Sequence, residues 1–139
     1  MWEELIALSN LDLINIKAPS AILPEEFFGK ISTDNWCYHF QRAALAEQQE
    51  AWRSVVAEYN QAEQAGFSAK STREWLPLIR ALIHLGETNS ALEVSSRILL
   101  EDEFARQGLC SAWQTYYQPE SASGLDQVDS YLEGWHCEE

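Results

Sequence analysis

The chain is short of positive charge. Nine Lys and Arg stand against 22 Asp and Glu in 139 residues, a formal net charge of −13. A nucleic-acid backbone is gripped by a Lys/Arg surface, so this deficit argues against nucleic-acid binding. Anionic membranes would repel the chain for the same reason. Long hydrophobic runs are also missing, since no stretch approaches the roughly 18 apolar residues of a membrane-spanning helix. Met1-Trp2-Glu3-Glu4 places acids where a secretory signal has its basic region. The expectation is a soluble chain with no direct membrane insertion, whose acidic surface suits basic partners.

Cysteine is scarce. Cys37, Cys110 and Cys137 are odd in number and widely spaced, unlike a disulfide framework. Reduced thiols are the simplest reading, and one bridge plus one free thiol is the alternative in an oxidising compartment. Four Pro and six Gly mostly punctuate apolar segments. There is no phosphate-cradling glycine loop and no dinucleotide fingerprint. Nor is there a nucleophile elbow or an ordered Ser/Cys, His and carboxylate set. No segment alternates as a strand does, so the fold class is all-α.

What is plentiful is apolar and aromatic. Hydrophobic residues make up 46% of the chain, with six Trp, five Tyr and five Phe. That is enough for the core of one ordinary domain, and large rings often hold small helical stacks together. Residues 1–16 open with a short amphipathic helix through Trp2, Leu5, Ile6 and Ser9, whose signal fades over Leu11, Leu13 and Ile14, and an extended connector follows from Lys17 to Pro24. Leu23-Pro24-Glu25-Glu26-Phe27-Phe28-Gly29 reads as a short turn of helix begun by Pro and stopped by Gly. The run Ser32-Thr33-Asp34-Asn35 caps a first long helix with Trp36, Phe40, Ala43, Ala44 and Glu47 on one face. A second helix, about 51–65, carries Trp52, Val55, Val56, Tyr59 and Ala62 inward and stops at Gly66. Ser71 or Thr72 caps a third, with Pro77 near its start and Trp75, Leu78, Ile79, Leu82 and Ile83 buried. Asn89 or Ser90 caps a fourth along Ala91, Val94, Ile98 and Leu99. A fifth runs from Asp102 to Tyr117 with Phe104, Leu109, Ala112, Trp113 and Tyr116 inward, and a last from Leu125 to Trp135, ahead of a frayed tail.

A shift of 36 residues superposes two helix-turn-helix units, placing Glu50 on Gly86, Val55 on Ala91 and Tyr59 on Ser95. In the second unit Trp75-x-x-Leu78-Ile79-x-x-Leu82, the turn Gly86 and the small Ala91 resemble the tetratricopeptide repeat. The first unit departs more, with His39-x-x-Arg42-Ala43-x-x-Ala46, Glu50 for the turn glycine and Val55 for the crossing Ala. The resemblance covers residues 36–100 and implies two degenerate tetratricopeptide-like helix-turn-helix repeats with flanking capping helices. The expected organisation is an N-terminal helix and connector over 1–35, the repeat domain over 36–118, and a loop with a C-terminal capping helix over 119–139. In that family the first helix of each pair lines a concave side that commonly takes peptides, which implies His39, Arg42, Arg73 and Arg80 as partner-binding residues. A guanidinium is well suited to a carboxylate, although pairing with neighbouring surface acids is the simpler fate of these arginines.

A second, narrower resemblance runs through Leu23-Pro24-Glu25-Glu26-Phe27-Phe28-Gly29, Trp36-Cys37-Tyr38, Phe40, Ala43, Leu45-Ala46, Gln48, Trp52 and Val56. It is similar to the soluble C-terminal region of bacterial multi-spanning membrane proteins of the glycosyltransferase type. This implies an accessory domain tethered to, or partnered with, such a membrane protein. None of the acidic catalytic loop of the membrane part is present, so the expectation is a non-catalytic module with a protein or peptide partner and no cofactor. A purely structural, oligomerising helical domain is the alternative. Cys37, His39, His136 and Cys137 offer a tetrahedral zinc set by residue type, but their spacing is poor and positions 37 and 39 point to different helix faces, so no metal is expected. His84, near a helix end, reads as partly buried or as facing the negative terminus rather than as a general base.

Overall fold

A computed structural model describes residues 25–29, 32–117 and 122–137. The chain divides into two units, Met1–Ile31 and Ser32–Glu139. In the first, the described part is a single short helix, α1 (Glu25–Phe28), closed where the Gly29 N–H donates to the Glu25 carbonyl at 2.8 Å. The short helix expected at the start of 1–16, the connector to Pro24 and the side chains of Phe27 and Phe28 lie outside the described residues.

The second unit contains α2 (Trp36–Gln48), α3 (Trp52–Gln64), α4 (Thr72–His84), α5 (Thr88–Glu101), a 3-10 turn (Glu103–Ala105), α6 (Arg106–Tyr116) and α7 (Ala122–Gly134). The described residues hold no strand. α2 begins as its capping residues dictate, with Asn35 Oδ1 accepting the Tyr38 N–H at 2.9 Å. α2 packs on α3, and α3 packs on α4. α4 also packs on α5 and α6. That central place explains the burial of Pro77, Leu78, Ile79, Ala81, Leu82 and Ile83 along α4. Around it Ala43, Val55, Ala62, Ala91, Leu109, Trp113 and Val128 are completely buried. The small residues among them let helix backbones approach closely, while Trp113 fills the space between α6 and its neighbours.

Four helices end in the same way. After α3, the Gly66 N–H donates to the Glu63 carbonyl and the Phe67 N–H to the Ala62 carbonyl, at 2.9 and 2.8 Å. After α4, the Gly86 N–H donates to Ile83 and the Glu87 N–H to Leu82, at 3.0 and 2.9 Å. The same pair of bonds closes α2 through Glu50 and Ala51, and α7 through His136 and Cys137. This is the Schellman arrangement, which satisfies carbonyls that have no partner within the helix and needs a left-handed residue. Gly66 and Gly86 supply it at φ 81° and 74°, but Glu50 and His136 adopt it at φ 55° and 56°. A side chain in this region costs roughly 1–2 kcal/mol, partly offset by the backbone freedom that glycine loses on folding. Glu50→Gly is therefore expected to stabilise the protein by about 1 kcal/mol in urea denaturation. An unchanged or lowered midpoint would contradict the account.

Several expectations are corrected. Pro77 is the sixth residue of α4, beyond the N–H groups that lack helical partners, so it removes a bond within the helix. One residue further along the same turn, the Tyr59 hydroxyl donates to the Glu74 carbonyl. α5 starts earlier than expected, with Glu87 at the cap position and no side-chain cap bond from Asn89 or Ser90. Phe104 is 87% exposed and Tyr116 is also exposed, although both were expected inward. The chain leaves α5 at extended Asp102, whose Oδ1 accepts the Phe104 N–H at 3.0 Å. The tight turn that follows puts Ala105 in the core and Phe104 outside. The tail is not simply frayed, because Cys137 forms a disulfide with Cys110 on α6. Cys37 is free and exposed.

Candidate functional site: an aromatic groove between α3 and α5

The residues singled out from the sequence are mostly held within the chain. Glu58 of α3 is buried and accepts from Arg42 Nε at 2.5 Å, while its other oxygen lies 3.1 Å from His39 Nδ1. Arg42 is the exposed member, and its guanidinium also lies 5.5 Å from the centre of the Tyr38 ring. The Glu58 carboxylate holds the Arg42 pKa above its ordinary value. Arg80 donates from Nε to Glu47 Oε1 at 2.5 Å and lies over the Tyr116 ring at 5.8 Å. Arg73 is exposed and makes no ion pair with a described residue. The structure thus joins His39 to Arg42 through Glu58, ties Arg80 to α2, and leaves Arg73 facing solvent.

The other residues considered are similarly placed by packing. His84 is exposed at the end of α4, stacked on Trp52 with ring centres 4.0 Å apart and flanked by Tyr116 at 5.5 Å. Of the four ligands in the zinc alternative, His39 is bonded to Glu58 and Cys137 is in a disulfide. Among the described residues no three His, Cys, Asp or Glu side chains gather where they could hold a metal.

An aromatic concavity lies elsewhere. α3 and α5 both pack on α4, and between them runs a groove of about 320 Å³. Its apolar walls come from Val56, Leu78, Leu82 and Val94, and its aromatic surface from Trp36, Tyr59, Phe67 and Trp75. The rings are layered. Trp36 meets Tyr59 edge-on at 5.4 Å, Tyr59 stacks with Trp75 at 6.1 Å, and the Arg97 guanidinium lies 4.8 Å from the centre of Trp75. Glu63, Glu87 and Glu93 stand exposed around the opening. Aromatic faces carry negative quadrupole density, and three carboxylates add to it, so the groove is built to hold apolar and cationic groups.

Tyr59 gives the groove a pH limit. Burial pushes its hydroxyl pKa well above the ordinary value of 10.0, and the Glu47 carboxylate pushes in the same direction. A raised pKa in the folded state means that the associated stability is complete below pH 10 and declines as pH rises above it. Wild-type protein is expected to lose stability progressively above pH 10 in urea melts, and Tyr59→Phe to lose less over the same range. Equal alkaline slopes would remove the assignment.

The groove was hidden from sequence reading for a physical reason. Attention falls on His39, Arg42, Arg73 and Arg80 of the first helices, whereas the groove draws on both helices of each pair, with Trp36, Trp75, Leu78 and Leu82 from the first, Val56, Tyr59 and Val94 from the second, and the turn at Phe67. Tyr59 and Trp75 read as core residues, and both do contribute to the core, but one edge of each opens into the groove. Comparison with known protein families, curated proteins and solved structures finds no match to the chain.

Proposed function

We propose that this chain is a non-catalytic interaction module of tetratricopeptide-like type, which holds a segment of a protein partner in the α3–α5 groove. The observation that carries the reading is the groove itself: a preformed aromatic concavity on rigid helices, with polar groups at its opening. The spacing of the helices supports the repeat reading. α2 and α4 begin at Trp36 and Thr72, α3 and α5 at Trp52 and Thr88, each pair 36 residues apart. α6 and α7 follow with nearly the same offset, at Arg106 and Ala122. Completely buried Ala91 fits the crossing position of the family pattern, and Val55 takes its place in the first unit. The groove differs from the concave side expected from that family, because it draws on both helices of each pair and is lined by none of His39, Arg42, Arg73 and Arg80. The similarity of Leu23–Val56 to accessory regions of membrane glycosyltransferase-type proteins favours a membrane protein as the partner.

A photoreactive amino acid at Ser90, on the groove wall, tests the reading against the same residue at Arg53, outside the groove. Crosslinking of a defined partner from Ser90 alone is expected in extract of the native organism. Equal capture from both positions, or none from Ser90, would overturn it. Oligomerisation is the second reading, favoured by exposed Leu100 and Phe104 beside a cleft lined by Leu99, Arg106 and Trp135. Sedimentation of wild type and Phe104→Ser distinguishes it: a dimer lost in the variant supports it, and a wild-type monomer excludes it.

A further inference from the structure

We infer that the groove selects a basic segment, with one Arg or Lys side chain of the partner taking the place that Arg97 now occupies over Trp75. The inference rests on the groove being the partner site, and it names the chemistry of that partner. Three observations support it. Among the described residues the rim holds Glu63, Glu87 and Glu93 against one cation, Arg97, so it is net negative in a chain already at −13. None of these carboxylates is ion-paired to a described residue. Arg97 follows Glu93 by four positions on α5, a spacing at which the two would ordinarily pair. Instead the guanidinium lies over Trp75, 4.8 Å from the ring centre.

The chain therefore displays the contact it would offer a partner. Trp75 stacks with Tyr59 and also holds a cation over its ring. Arg97 is exposed and its contact with the ring is a modest one, so it can be displaced. A displaced Arg97 would be free to pair with Glu93, which compensates part of the exchange. The groove volume of about 320 Å³ is at the low end of the roughly 300–1,000 Å³ typical of ligand sites. It suits one or two side chains from an extended segment better than a docked helix. Opposite charge outside the groove would add to the encounter rate at low salt.

The test is an NMR titration of the full chain with an amidated octapeptide of Lys, Arg and Leu, and with versions carrying Glu or Gln at the charged positions. The basic peptide is expected to move the Trp75 indole and Glu93 amide signals, and to bind more weakly as salt screens the rim. Arg97→Ala and Arg97→Met, both checked for native melting, remove the internal competitor and should tighten the basic peptide about two- to fivefold. Glu63→Gln combined with Glu93→Gln should weaken it at least threefold. If the Glu or Gln peptide binds as tightly, or the Arg97 variants weaken the basic one, the charge inference fails while the groove remains a binding site. If no peptide moves a groove signal, the inference and the reading of the groove fall together.

Discussion

Trp113→Ala is expected to remove about 4–5 kcal/mol of stability, a large share of the roughly 5–15 kcal/mol available to a domain of this kind. Trp113 is completely buried on α6 and contacts the rings of Tyr117 and Trp135, at 5.6 and 6.4 Å. Its Nε1–H donates to Ser95 Oγ on α5 at 3.0 Å, and Ser95 is completely buried too. Truncation opens a cavity that the surrounding helices can only partly fill. It also leaves a buried hydroxyl without its donor, adding a penalty of about 1–3 kcal/mol. Chemical denaturation followed by circular dichroism measures the total. A double-mutant cycle isolates the polar part: Ser95→Ala should cost less in the Trp113→Phe background than in wild type, by about 0.5–1.5 kcal/mol. Additive effects would show that the indole stabilises by packing alone, and a loss below 2 kcal/mol for Trp113→Ala would contradict its central place.

Opening the disulfide is expected to have the next largest effect. Cys110 and Cys137 are 27 residues apart in sequence, with Cα atoms 5.4 Å apart. Closing a loop of that length restricts the unfolded chain by an amount worth about 3.5 kcal/mol. The bridge ties the turn after α7 to α6, beside the 3.2 Å bond from Gln114 Nε2 to the Cys137 carbonyl. Completely buried Val128 shows that α7 contributes to the core as well. Reduction, or paired Cys110→Ser and Cys137→Ser, should therefore lower the urea midpoint, while Cys37→Ser leaves it unchanged. Thiol titration provides an independent reading: one reactive thiol in native oxidised protein, and three after reduction and unfolding. Three reactive thiols without reductant would overturn the bridge.

Much of the helical framework is legible in the sequence because it depends on local rules. Asn35 caps α2 through its own side chain, and Gly66 and Gly86 stop their helices where a left-handed residue is needed. Leu78, Ile79, Leu82 and Ile83 repeat on one face of α4 and all reach the core. The offset that placed Glu50 on Gly86 finds both residues in the same turn geometry, although only one is glycine. What escapes depends on tertiary neighbours. Glu58 carries no local signal of burial, and only the approach of α2 brings His39 and Arg42 to it. The pairing of Cys110 with Cys137 depends on where α7 returns, which no local pattern specifies. Phe104 follows the apolar period of a helix, but the break at Asp102 shifts that period and turns the ring outward. The groove depends on the separation of two helices that each pack on a third.

The four matching helix ends also bear on how fast the chain folds. Each turn is closed by bonds reaching back no more than five residues, and α2 meets α3, as α4 meets α5, immediately across such a turn. A hairpin of this kind loses little loop-closure entropy before its contacts form, so any of them can serve as a nucleus. Folding on the fast, low-contact-order side of the range for domains of this size follows from that economy of connection.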